Sequence, residues 1–324
     1  MDGAVPIPGA TRRAGHAAAV QAAEAVLLFI VLVWGINFIA IKAAITTMPP
    51  LGLTVLRFGI AGCILLAVVR WREGSVRWPP GTGVRLFVTG AIGFGVYQLL
   101  WVAGLQFTSA GTSAILIAVA PVFTALFGML AGVERGHPAR FGGAAISLAG
   151  VALVAGGNGL DLRAAGLGDL LTVTAAACWG IYLVGSAPLR ARMSPLLQTT
   201  WVILAGTAVL AGPGFAQLAQ AGTSWIAAGP ILAIAFSAVF AVALANALLL
   251  RALPVVGPTR IANVQLLVPV VTLALGAMFF GEPILPTQIA GGAIIVAGIL
   301  VSRRAPVRAA AERRTPEPLP IVEA

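Results

Sequence analysis

Ten apolar stretches follow one another along the chain, near residues 24–46, 51–70, 85–106, 111–132, 140–157, 168–187, 197–212, 229–250, 259–280 and 284–302. A helix that crosses a bilayer needs roughly 20 mostly apolar residues. In lipid each backbone polar group must be satisfied within its own segment, so runs of this kind predict helices. The connections between the third and fourth runs and between the ninth and tenth are short, and Pro283 and Pro286 mark the start of the last helix. Residues 1–23 and 303–324 are polar tails, and Pro306, Pro316, Pro318 and Pro320 predict disorder for the second. Arg12 and Arg13 precede an apolar run, as in a secretory signal, but that run is long, contains Asn37 and Lys42, and lacks a small-residue cleavage site. A retained first helix is predicted.

Composition agrees with the pattern. Of 324 residues 59% are hydrophobic and 9% charged, against about 25% charged in soluble domains. The net charge of +10 would suggest nucleic acid in a soluble protein. Here the arginines stand between the apolar runs, which makes them topology signals instead, and no nucleic-acid partner is expected. With the N-terminus inside, 17 of the 20 basic residues fall in cytoplasmic segments, leaving Lys42, Arg57 and Arg163. An even number of spans then puts both termini in the cytoplasm.

Several chemistries are excluded. Lys42 is the only lysine and lies in Asn37-Phe38-Ile39-Ala40-Ile41-Lys42-Ala43, so no phosphate-binding P-loop exists in this chain. Cys63 and Cys178 lie in apolar stretches and His16 and His137 outside them, which supports neither a metal site nor a disulfide framework. No histidine base accompanies an intramembrane nucleophile, and no carboxylate cluster suits metal-dependent chemistry. The chain is expected to be neither an enzyme nor cofactor-dependent, and nothing in it resembles a selectivity filter.

Sliding the chain on itself by 148 residues aligns the fourth and fifth runs with the ninth and tenth. Pro121 meets Pro269, Thr124 meets Thr272, Gly128 meets Gly276, Glu134 meets Glu282, Gly143 meets Gly291 and Gly150 meets Gly298. With a three-residue gap, Trp34-Gly35-Ile36 aligns with Trp179-Gly180-Ile181. Five spans per repeat is an odd number, so the second copy is inverted. Inverted repeats are a common architecture of secondary transporters, with the substrate site near the midplane between the halves. The expected fold is all-α and integral to the membrane: ten transmembrane helices as two inverted five-helix repeats, 24–157 and 168–302, around a central cavity.

At these residues the sequence resembles the EamA-type, ten-helix branch of the drug/metabolite transporter superfamily. The resemblance covers roughly 24–302. It rests on Trp34-Gly35-Ile36-Asn37-Phe38, Leu56-Arg57-Phe58, the segment Ala103 to Ala110 leading into Pro121, and Gly281-Glu282 followed by Gln288, Gly291 and Gly298. Arg260 departs from it, standing where a small residue is expected. The resemblance implies a multi-pass protein of the bacterial inner membrane that exports small metabolites, such as amino acids, or drugs. It does not fix the cargo, and composition does not give the direction; toxic-compound efflux, uptake and a non-transport membrane subunit stay as alternatives. The implied partners are a small-molecule substrate and the lipid bilayer, and a homo-oligomer is compatible with the pattern.

Polar side chains inside a bilayer are costly and face cavities or other helices. Trp34 and Asn37 share a face of the first span; Tyr97, Gln98 and Trp101 cluster in the third; Trp179, Tyr182 and Ser186 form a stripe on the sixth. Asn246 is the repeat partner of Gln98, and Gln265 lies in the ninth span. Together with Arg57, the intramembrane cation of the second span, these are the expected substrate-binding residues. Rings suit the apolar part or ammonium of an amphipathic solute, while amides orient its polar end. The ordinary alternatives are interfacial aromatic belts, interhelix amide bonds and an Arg57 tied to carbonyls or headgroups. Lys42 is expected to snorkel to water. Glu134 and Glu282 are expected to cap the helices that follow them. Apart from Glu24 at the cytoplasmic edge of the first span, no carboxylate is expected inside the ten spans, so a buried proton relay has no evident carrier. Pro121 and Pro269 are expected to hinge their helices.

Overall fold

A computed structural model of the protein describes residues 8–132, 137–156, 164–249, 251–252, 255 and 264–303. Glu134, Arg163, Arg260 and the C-terminal tail beyond Arg303 lie outside the described residues.

Ten helices succeed one another: α1 Pro8–Ala44, α2 Pro50–Glu73, α3 Gly83–Leu105, α4 Ala110–Leu130, α5 Pro138–Gly156, α6 Ala164–Ser186, α7 Pro195–Ala221, α8 Ala228–Leu249, α9 Val268–Phe280 and α10 Pro286–Arg303. Seven are long and apolar enough to cross a membrane, and α5, α9 and α10 supply shorter apolar helices. Three differ in extent from the apolar pattern, α9 beginning at Val268 where its run begins near 259, with 259–263 outside the described residues. Helix α1 begins at Pro8, before its spanning portion Val20–Ala44. Helix α7 runs on through Pro213 to Ala221.

Local chemistry sets many of the ends. Pro50, Pro195 and Pro286 open helices where a missing N–H costs nothing. Ser109 and Ser194 cap α4 and α7, accepting from the N–H groups of Thr112 and Leu197 at 3.0 Å. Gly74 and Gly281 end α2 and α9 with positive φ, where a side chain would be strained.

Lipid offers no hydrophobic drive between helices, so close packing through small residues holds the bundle together. On α5, Gly143 backs onto the Gly298 carbonyl and Ser302 of α10, while Gly150 meets the Gly291 carbonyl and Ile295. Ser147 Oγ donates to the Ile295 carbonyl at 3.1 Å between them. The 148-residue offset carries Gly143 to Gly291 and Gly150 to Gly298, so this antiparallel contact maps onto itself. That self-complementarity is what a two-fold relation between the repeats requires.

The same operation relates other contacts. Gly35 of α1 packs on Val271 and Thr272 of α9, and Gly180 of α6 packs on Phe123 and Thr124 of α4. The first helix of each repeat therefore lies against the fourth helix of the other. Each fourth helix is interrupted just before its proline, at Ala118–Val119 and Leu266–Leu267, as the matched prolines predict. Both third helices contain a π-helical stretch, Ala91–Val96 in α3 and Ser237–Leu244 in α8.

The two ends of the bundle differ in charge. Arg70, Arg72, Arg77, Arg85, Arg190 and Arg192 gather at one end, where Arg192 donates to the Pro80 carbonyl, Ser194 to Glu73, and Trp201 Nε1 to the Val76 carbonyl. Lys42, Asp169 and Glu282 stand at the other.

Because Gly143 is pressed against backbone, Gly143→Leu is expected to destabilise the protein by about 1–3 kcal/mol. Its neighbour Gly142, which has open space around it, is expected to accept leucine without loss. Thermal unfolding in detergent distinguishes the two.

Candidate functional site

Arg57 sits seven residues into α2, about 10 Å along the helix from Pro50, and is 1% exposed. Its Nη2 donates to Gln98 Oε1 of α3 at 2.6 Å and its Nη1 to Ser237 Oγ of α8 at 3.0 Å. The guanidinium lies 4.5 Å from the Phe58 ring centroid and 5.6 Å from that of Trp101. Its Nε–H is buried without a partner, and no carboxylate pairs with it among the described residues. The site thus holds an uncompensated cation walled by ring faces, with one donor unused. An anionic group is the ligand such a donor set accepts best.

Trp101 closes one side. Its Nε1 donates to Ser113 Oγ of α4 at 3.1 Å, and Phe38 of α1 meets its ring edge-on at 5.2 Å. On the other side Tyr97, Trp179 and Tyr182 form a continuous aromatic group with Phe94, with ring centroids 4.9–5.6 Å apart. Phe94 also touches Phe58 at 5.8 Å, joining the aromatic group to the Arg57 group. The structure therefore brings Arg57, Tyr97, Gln98, Trp101, Trp179 and Tyr182 together, on α2, α3 and α6.

The remaining expected residues make contacts of their own. Trp34 donates its indole N–H to the Ala241 carbonyl of α8 at 2.9 Å. Asn37, one turn on, has its Oδ1 buried without a partner. Asn246 Nδ2 donates to the Val242 carbonyl of its own helix at 2.7 Å, an intrahelical bond that follows from the π-helical stretch before it. Gln265 is half-buried in the helical segment before the Leu266–Leu267 break. Gln98 and Trp101 are 6% and 3% exposed, so the centre is closed by its own side chains in this conformation. A cleft of about 570 Å³ opens on the flank between α1 and α8, lined by Ala40, Ala44, Ala233 and Phe236. It ends one residue short of Ser237.

Residues that the apolar pattern hides complete the site. Ser113 and Ser237 are single small polar residues in apolar helices, and Phe38, Phe58 and Phe94 read as core. Only their neighbours in space distinguish them.

At the Lys42 end three expectations are corrected. Lys42 does not snorkel away: its Nζ donates to the Leu105 and Thr108 carbonyls at 2.5 and 2.6 Å, covering the C-terminal end of α3. Glu282 caps another helix than the one it precedes, Oε1 accepting the Ala110 N–H of α4 at 3.3 Å. The N-terminus of α10 is served by Gln288, whose Oε1 accepts from Leu285 N–H at 2.9 Å while its Nε2 donates to Thr112 Oγ1 at 2.8 Å. Asp169 is a buried carboxylate near the start of α6, 2% exposed, where none was expected; it accepts from Thr108 Oγ1 at 2.7 Å.

Two neutral partners hold the Arg57 charge, so altering one is expected to show in stability. Gln98→Leu removes a charge-assisted hydrogen bond and is expected to cost about 2–3 kcal/mol. Gln98→Glu supplies the missing counter-charge and is expected to raise the melting temperature. Thermal unfolding of both variants in detergent checks the pair.

Comparison with known proteins agrees with this architecture. The EamA-like transporter family matches twice, over residues 21–156 and 166–304. A protein of Streptantibioticus cattleyicolor described as a "probable terminal-alkyne amino-acid exporter" is 30% identical over 300 residues, covering 90% of this chain and 96% of that protein. A "probable amino-acid metabolite efflux pump" of Salmonella typhimurium is 28% identical, covering 85% of this chain and 92% of that protein. One crystal structure superimposes with a TM-score of 0.61 at 21% identity, covering 87% of this chain and 97% of its own, a likeness of fold. Two family matches in one chain, on ten helices with two-fold related packing, place this protein in the EamA-like transporter family, as a multi-pass membrane transporter of small molecules and not an enzyme.

Proposed function

We propose that the protein is a secondary exporter of small amphipathic metabolites, amino acids or close relatives, working by alternating access. The observation that carries this is the Arg57 centre: a buried cation with an unused donor, beside a four-ring aromatic group, at the meeting of the two repeats. A carboxylate on Arg57 would neutralise the charge. The apolar body or ammonium of the same solute would lie on Tyr97, Trp179 and Tyr182. Gln98 and Trp101 orient the polar end, Trp34 and Asn37 wall the α1 side, and Asn246 and Gln265 border the approach beside α8 and α9. The names of the relatives in Streptantibioticus and Salmonella support both the cargo class and the outward direction.

The arginine-rich end faces the cytoplasm in this scheme, with both termini inside and the protein in the inner membrane of a bacterium. Two similar halves of opposite orientation can exchange conformations, which gives inward- and outward-open states of comparable energy.

Overexpression followed by metabolite profiling of medium and cytoplasm tests the proposal. A specific amino acid or related solute is expected to accumulate outside. Arg57→Gln is expected to lower that export at least tenfold, in keeping with loss of about 1.5–3 kcal/mol of charge-assisted binding, and Trp101→Ala is expected to impair it in a protein that still folds. Unchanged medium across amino acids and amines, or wild-type export by both variants, overturns it.

A further inference from the structure

The two repeats are similar in sequence, yet in one respect they are not equivalent in this conformation. Trp34 and Trp179 occupy the same place in the first helix of each repeat. Each lies against the π-helical stretch of the third helix of the opposite repeat. Trp34 donates its indole N–H to the Ala241 carbonyl inside the α8 stretch, at 2.9 Å. Trp179 instead meets Phe94 of the α3 stretch edge-on and lies tilted against Tyr97 and Tyr182. Among the described residues its indole N–H makes no hydrogen bond. The 148-residue offset carries Ala241 back to Gly93, which lies in the middle of the α3 stretch and bears no side chain, with Tyr182 packed on its backbone.

A π-helical turn departs from the usual i to i−4 ladder. Here two carbonyls of the α8 stretch also accept side-chain donors, Ala241 from Trp34 and Val242 from Asn246. The α3 stretch has no side-chain donor of that kind on it among the described residues. The two-fold related pair is thus hydrogen-bonded on one side and held by edge-on and tilted ring contacts on the other.

We propose that Trp34 and Trp179 are alternating latches of the transport cycle. In the state seen here Trp34 is bonded to the α8 stretch and Trp179 is released into the aromatic group. In the opposite-facing state Trp179 donates to the Gly93 carbonyl and Trp34 leaves Ala241. Beyond their places in the wall of the site, the two indole N–H groups set which end of the bundle opens, while Arg57 and its partners hold the polar end of the solute. This rests on the alternating-access reading above.

The test uses phenylalanine, which keeps the ring and removes only the N–H. In a chain carrying Cys63→Ala and Cys178→Ala, Met48→Cys reports the Lys42 end and Ser186→Cys reports the arginine-rich end, both positions being buried here. Maleimide labelling rates of the purified full-length protein are compared in pairs. W34F is expected to disfavour the present state, and W179F to favour it, each shifting the ratio of the two labelling rates about fivefold in opposite directions. The double variant is expected to return the ratio close to that of the parent. Shifts in the same direction, no shift, or a double variant that keeps the ratio of either single variant overturn the proposal. If the two reporters fail to respond reciprocally to any condition in the parent protein, the alternating-access reading itself fails, which is a separate result.

Discussion

A positive charge buried in the low-dielectric interior without a counter-ion is the constraint on which the centre of this protein depends. Taking a guanidinium out of water costs several kcal/mol even after relaxation. Here Gln98, Ser237 and two ring faces offset only part of that cost. Such a charge persists because the surrounding helices over-determine its position: α2 is locked to α7 through Gly52, Gly62 and Gly214, which seat Leu218, Leu204 and Val55. A site of this kind is poised for a ligand that carries the missing negative charge. It also resists filling by ordinary apolar side chains.

The second organising feature is two-fold relatedness at the level of contacts. Glycines at matched positions carry it, because in lipid the approach of backbones decides which helices associate. The α5–α10 seam maps onto itself, and the α1–α9 and α6–α4 contacts map onto each other. Between these rigid seams lie the parts that can change shape: two interrupted fourth helices, each with a proline just past its break, and two third helices with π-helical stretches. Packed seams and interrupted helices divide the labour between holding the fold and letting it rock.

Much of this was legible in the residues. The apolar runs located the ten helices to within a few residues at most ends, since lipid enforces both length and composition. The proline match at 121 and 269 located the breaks in α4 and α9. Arg57, Gln98 and Trp101 were identifiable as costly groups in apolar helices, and they do meet. What was not legible is partner identity. Ser113 and Ser237 are common small residues, and nothing in their neighbourhood along the chain reveals that one receives Trp101 and the other Arg57. Lys42 and Glu282 looked like end-of-helix residues facing water or their own next helix. Each instead serves the end of a helix that is distant in sequence or belongs to the other repeat.

The sequence alone therefore determined the membrane class, the number of helices, the inverted duplication and the set of costly polar groups. Each of these is a consequence of local composition against a fixed hydrocarbon thickness, or of self-similarity along the chain. Tertiary structure alone decided which donor meets which acceptor, which of two matched tryptophans is bonded, and where Asp169 becomes a buried carboxylate. Those depend on distances between helices that the chain pattern does not encode, because a hydrogen bond is set by a few tenths of an ångström across an interface.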